Sequence, residues 1–179
     1  MRLFLYISIS FYFFISLLFA EETRQVDKHE HGVGELNIAI QSNTMVLEFM
    51  IPGADIVGFE YEAKSEQDKA TVNAALTKFD DYNNIFIIPI NSKCLLVSSK
   101  ININQEDDHD EHQEEAHNEF YAKYTFECGD IKSLDLLEFP YFETFSNYGE
   151  LEVQFVSEIG STSFEVEADS PIINIEGKI

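Results

Sequence analysis

From Gly34 to Met50 the apolar side chains fall on every second position, twice over. Leu36, Ile38 and Ile40 alternate with Glu35, Asn37 and Ala39, and after Gln41-Ser42-Asn43-Thr44 the residues Met45, Leu47 and Phe49 alternate with Val46, Glu48 and Met50. A period of two is that of a half-buried strand, and the turn residues between the two runs join them into a β-hairpin. Pro52 and Gly53 end it. Any fold available to this chain must give those two apolar faces a core to cover.

The same period returns near the C-terminus. Leu151, Val153 and Phe155 alternate with Glu150, Glu152 and Gln154, Ile159-Gly160-Ser161 turns the chain, and Phe164, Val166 and Ala168 alternate with Glu165, Glu167 and Asp169. Ile172 to Ile175 adds a last strand after Pro171. Between the hairpins, Ser65 is an N-cap with acids in the turn behind it, and Val72, Ala75, Leu76 and Phe79 form one helical stripe. Asp80 to Asn84 is a break, and Pro89 makes residues 85–90 (IFIIPI) an edge or irregular strand. Residues 131–146 read as one or two short helical turns interrupted by Pro140. The sum, about seven strands and two or three short helices, is an α+β pattern with mostly antiparallel sheets. Two hairpin-plus-helix halves suggest internal pseudo-symmetry, although no sequence repeat accompanies it.

Residues 94–103 and 120–128 are also strand-like, and each holds one of the two cysteines, Cys94 and Cys128. If the cysteines oppose each other across an antiparallel pair, Ile103 faces Glu119 and residues 104–118 connect the strands, within an acidic His-rich loop over 104–119. Directly opposed Cα atoms stand about 4.5–5.5 Å apart, within reach of a disulfide. Two buried free thiols are the alternative. The connection is the most polar part of the chain: QEDDHDEHQEEAHNEF, residues 105–120, has eight acidic side chains and three histidines in sixteen positions.

The first twenty residues stand apart from the rest. Arg2 precedes an uncharged apolar run over residues 3–19, and Ala20 precedes Glu21. That is the pattern of a secretory signal peptide cleaved after Ala20, with an uncleaved anchor as the competing reading. Residues 21–179 then form a single domain outside the cytosol, where an even cysteine count reads as one disulfide. The formal charge of −22 becomes −23 when Arg2 leaves. A chain so acidic repels nucleic acid and anionic membrane surfaces and attracts cations. No phosphate-binding glycine loop, no nucleophile elbow and no Cys beside a base is present, so an enzyme is not expected.

The five histidines occupy only two places. His29 and His31 flank Glu30 before the first strand, and His109, His112 and His117 lie in the acidic connection. Histidines kept for packing should scatter, whereas a shared ligand explains clustering. Imidazole is the commonest zinc ligand and also suits copper and nickel, and carboxylates complete such shells. On an extended chain His29 and His31 point to one side, the polar side that continues into Glu35 and Asn37. Gly32 and Gly34 let another segment approach the backbone. The connection offers His109-x-x-His112 and His117 with Asp110 and Glu111 among them, a wrap with weaker, multiple sites rather than a rigid one. Against this, a charge run is usually a solvated loop, and His29 and His31 alone read equally well as a polar lead-in.

The run His29-x-His31-Gly32-x-Gly34-Glu35-Leu36-Asn37-Ile38-Ala39 resembles the start of the zinc-regulated periplasmic zinc-binding family. Further matches follow in order: Ile56-Val57-Gly58-Phe59-Glu60, the helix near Glu66, Cys94-x-Leu96, the acidic His-rich loop, Phe126-x-Cys128 and Leu151-x-Val153-Gln154-Phe155. The resemblance implies a periplasmic protein made when zinc is scarce that assists a high-affinity zinc ABC importer, handing metal to its solute-binding protein. It implies that His29 and His31 belong to a structured zinc site and His109, His112 and His117 to a flexible loop. Members often carry a His directly after Gly-Phe-Glu, where this chain has Tyr61. A carboxylate such as Glu60 or Glu62, or a loop His, must then complete the shell. The expectation is therefore an exported, monomeric, disulfide-stapled α+β protein that binds Zn2+. The alternatives are an acidic exported interaction module without metal and a copper- or nickel-binding protein.

Overall fold

The computed structural model describes residues 32–105, 118–145 and 149–179. Strands β1 (Val33–Gln41) and β2 (Thr44–Pro52) form the expected antiparallel hairpin, with Ile38 opposite Leu47. Leu36, Ile38, Ile40, Met45, Leu47, Phe49 and Ile51 are all buried. β3 (Cys94–Gln105) and β4 (Asn118–Cys128) make the second pair, and β6 (Glu150–Ser157) and β7 (Gly160–Val166) the third. The three hairpins share one sheet in the order β3-β4-β2-β1-β6-β7. Only the β1–β6 neighbours run parallel. A separate two-stranded sheet pairs β5 (Leu136–Glu138) with β8 (Ile172–Asn174).

One face of the large sheet is covered. Helix α2 (Glu66–Asp80) starts at Ser65, whose hydroxyl accepts the Asp68 amide at 3.0 Å. It buries Val72, Ala75 and Phe79, and Phe79 stacks on Phe120 of β4 and on Phe145. The Tyr124 hydroxyl donates to the Phe79 carbonyl at 2.6 Å, which satisfies a phenol that is otherwise wholly enclosed. Tyr82 and Phe86 pack on Phe126, and Leu137, Ile173 and Ile175 close the same cluster. The other face is open and polar. Reading across it, Asn102, Tyr121, Met50, Glu35, Glu152 and Glu165 lie in one row.

The structure corrects several sequence expectations. Residues 85–90 are not a strand. Ile87 makes a single bridge to Glu138, and Pro89, which has no amide to donate, leads into a 3-10 turn at Ile90–Ser92. The two short helical turns expected around Pro140 are present, a 3-10 turn at Ile131–Ser133 and the short helix α3 (Tyr141–Thr144), but the strand β5 between them was not anticipated. Another helix, α1 (Gly53–Val57), follows β2 where only a strand end was expected. Cys94 does oppose Cys128, but a β-bulge between Leu96 and Ser98 shifts the register beyond it. Ile103 therefore faces Phe120 rather than Glu119, and strand pairing continues to Gln105 and Asn118 instead of ending before residue 104.

Candidate functional site

The expected metal residues divide sharply. His29, His31, His109, Asp110, Glu111, His112 and His117 lie outside the described residues. Glu35 is exposed on the open face of β1. Glu60 and Tyr61 follow α1, and Tyr61 is about half exposed and stacks on Phe59 with ring centroids 4.6 Å apart. Cys94 and Cys128 are disulfide-bonded with Cα atoms 3.7 Å apart, closer than the spacing expected of opposed strand positions. Among the described residues no three His, Cys, Asp or Glu side chains are gathered to hold a metal ion.

The topology gathers five strand ends at one end of the large sheet. β3 ends there at Gln105, β4 begins at Asn118, β2 ends at Pro52, and β1 and β6 begin at Val33 and Glu150. Asn104, Glu119 and Pro52 share one cross-strand row. Only β2 separates β4 from β1. Asn118 and Gly32 therefore stand about two strand spacings apart, about 10 Å. In sequence they are the next residues after His117 and His31.

Both anchor points are held by α1 and the chain behind it. Asp55 on α1 is 6 % exposed, and its two carboxylate oxygens accept the Gly32 amide at 3.1 and 3.2 Å. The Gly32 carbonyl accepts the Glu150 amide at 2.7 Å, which ties the start of β1 to β6. Gly32 has φ +86, and a Cβ on Gly149 would lie 1.5 Å from the Gly32 oxygen, so both positions require glycine. Asn118 is 4 % exposed. Its amide donates to the Glu60 carbonyl at 2.8 Å and its side-chain Nδ2 to the Tyr61 carbonyl at 2.6 Å. A Cβ on Gly53 would press on the carbonyls of Phe59 and Asn118, so α1 can start this close to β4 only from a glycine.

The surroundings are acidic. Glu35 on β1 opposes Glu152 on β6, which opposes Glu165 on β7, and all three are exposed. Like charges directly opposite across strands repel, so this row costs stability unless cations screen it. At its end, Glu150, Glu167 and Asp169 line a shallow depression beside Gly32 and Gly149. Glu35 was anticipated. Glu152 and Glu165 were not, because their alternation was legible while their juxtaposition depends on the parallel β1–β6 pairing. Farther along the open face the Tyr121 hydroxyl donates to Glu48, and Lys123 lies 3.7 Å from the same carboxylate. Burial, and then the Glu48 hydrogen bond, push the Tyr121 phenol up to about 12. Its hydroxyl keeps its proton near neutral pH and donates a hydrogen bond to Glu48.

Among the described residues no helix is long and apolar enough to cross a membrane. No curated protein matches the chain. Residues 28–175, which take in His29, His31, the acidic connection and almost all of the fold, match a family model described as ZrgA family zinc uptake protein, and the chain belongs to that family.

Proposed function

We propose that the protein is an exported carrier of Zn2+ that captures the ion through His29 and His31 together with His109, His112 and His117, and passes it to the solute-binding protein of a zinc ABC importer. The observation that supports this reading is the pair of anchors: Gly32 and Asn118, each one residue from a histidine, are fixed about 10 Å apart at one sheet end. A connection entered from Gln105 and left at Asn118 can reach an ion held beside Gly32. Glu35, Glu60, Asp110 and Glu111 are the supporting carboxylates, and Tyr61 contributes packing and a carbonyl rather than a ligand. An open set of imidazole and carboxylate ligands exchanges an ion more readily than a closed tetrahedral cage, which suits cargo that must be released.

The protein does no covalent chemistry in this reading, and it works in the periplasm after cleavage behind Ala20. The Cys94–Cys128 disulfide suits an oxidising compartment. Calorimetric titration with Zn2+ near neutral pH tests the proposal. Uptake is expected, weakening below about pH 6.5 as imidazoles protonate, and it is expected to be lost when all five histidines become alanine. No uptake by the wild type, or uptake unchanged in that variant, sinks the metal reading and leaves an acidic interaction module. Competition with Cu2+ and Ni2+ separates zinc from its neighbours.

A further inference from the structure

Asn118 opens β4 on its covered face, in line with Phe120, Ala122 and Tyr124. Its carboxamide is held firmly but only half satisfied. Nδ2 donates to the Tyr61 carbonyl at 2.6 Å, and the main-chain amide donates to the Glu60 carbonyl at 2.8 Å. The side-chain oxygen Oδ1 is enclosed and has no hydrogen-bond partner among the described residues. A half turn of the carboxamide does not relieve it, because Oδ1 would then face the Tyr61 carbonyl, acceptor against acceptor. The oxygen is therefore fixed in direction and carries the desolvation cost of an unmet acceptor. A buried acceptor held in this way calls for a donor.

Its place in the fold narrows the choice of donor. Counting on from Glu35 opposite Met50 and from Pro52 opposite Glu119, the residues Gly32, Gly53 and Asn118 fall in one row across the sheet end. Helix α1 starts in that row and reaches both sides of it. A Cβ at Gly53 would lie 2.9 Å from the main-chain oxygen of Asn118, while Asp55, two residues on, holds the Gly32 amide. That amide belongs to the peptide bond joining His31 to Gly32. The attachment point of His31 is thus held on the helix against which Asn118 packs. Gly32 has φ +86, so the alternation of β1 does not carry through it to His31. Across the row, Gly32 and Asn118 are about 10 Å apart, a gap that an imidazole and a carboxamide close between them.

We propose that the side-chain carbonyl of Asn118 accepts the ring N–H of His31 when that imidazole carries Zn2+ on its other nitrogen. The inference rests on the reading above, in which His31 is a zinc ligand. A metal-bound imidazole keeps one N–H, and an acceptor for it fixes the tautomer and the ring orientation and raises the basicity of the ligand. Asn118 is then a positioning residue, which touches the ligand and not the ion. Being neutral, it orients the ring without adding a charge to acidic surroundings.

Calorimetry with Zn2+ tests this, with circular dichroism to check that each variant folds. Asn118→Ala should weaken zinc binding about 10- to 100-fold. Asn118→Asp keeps an oxygen for the ring N–H and loses the donor to Tyr61, so it should lower stability yet bind zinc far more tightly than the alanine variant does. A clamp on Tyr61 alone predicts instead that aspartate is as poor as alanine. In a His31→Ala background, Asn118→Ala should cost little further affinity. Nuclear magnetic resonance of the wild type gives a readout that no variant's folding affects: with isotope-labelled histidines and bound zinc, the His31 ring should show an N–H in slow exchange with water. Absence of that N–H, aspartate as weak as alanine, or an alanine loss that is the same with and without His31 each overturns the inference while zinc uptake stands. No zinc uptake by the wild type overturns it together with the reading it rests on.

Discussion

Asp55→Ala is the substitution that asks most of this structure. The carboxylate sits on α1, is 94 % buried by its 6 % exposure, and accepts the Gly32 amide on both oxygens. A hydrogen bond to a charged acceptor contributes about 1.5–3 kcal/mol net, and its removal takes this acceptor from the part-buried Gly32 amide. At a urea dependence of about 2 kcal/mol per molar, the unfolding midpoint should fall by about 1 M. Asp55→Asn keeps one acceptor oxygen in place and should cost about 1 kcal/mol. A second effect follows if zinc binds beside Gly32. Without the tether, that backbone must be ordered when the ion binds, at about 1–2 kcal/mol, which weakens zinc affinity about 5- to 30-fold. Urea denaturation followed by circular dichroism reads the first effect and calorimetry the second. An Asp55→Ala protein that unfolds at the wild-type midpoint would refute the tether. Lost stability with unchanged zinc affinity would keep the tether and remove it from the metal site.

Replacing Cys94 and Cys128 together by serine should lower stability by about 3–4 kcal/mol, the loop-closure value for a separation of 34 residues; equal urea midpoints for the variant and the oxidised wild type would contradict this. Stability should also fall on the alkaline side. Burial, and then the charges of Asp80 and Asp81, raise the Tyr124 phenol, while burial and then Asp55 raise that of Tyr141. Above about pH 10 the unfolded tyrosines release protons that the folded ones retain, so the contribution present below that pH is lost as pH rises, by about 1.4 kcal/mol per pH unit for each tyrosine. Urea midpoints between about pH 9 and 11 measure the slope, and Tyr141→Phe should flatten it; an unchanged slope in that variant would count against the assignment.

The hairpins, the capped helix and the cysteine pairing were legible because each depends on local period or on two residues of one kind. What remained hidden depends on contacts between distant segments. The bulge at Val97 leaves no mark in the strand's composition, and it moved Ile103 from Glu119 to Phe120. β5 is three residues long and exists because β8 returns to pair with it. α1 follows Pro52 with five residues, too few to show a helical stripe. At the candidate site the histidines stood out by clustering. Asp55 and Asn118 did not, since a buried aspartate and a buried asparagine are recognised by what they hold, here Gly32 and the carbonyl of Tyr61.

The single parallel neighbour pair in the large sheet also sets the order in which the molecule is completed. Strand β1 can pair with β2 as soon as both exist, and α1 can then bring Asp55 to Gly32. The other side of β1 stays an open edge until β6, made near the end of the chain, arrives to give the Gly32 carbonyl the Glu150 amide. Closing so long a loop is the slow kind of folding event, because chain entropy is lost before the contact repays it. A chain cut short before residue 150 lacks β6, so that flank of β1 keeps its main-chain groups without the partners they have in the whole sheet, the Glu150 amide on the Gly32 carbonyl among them.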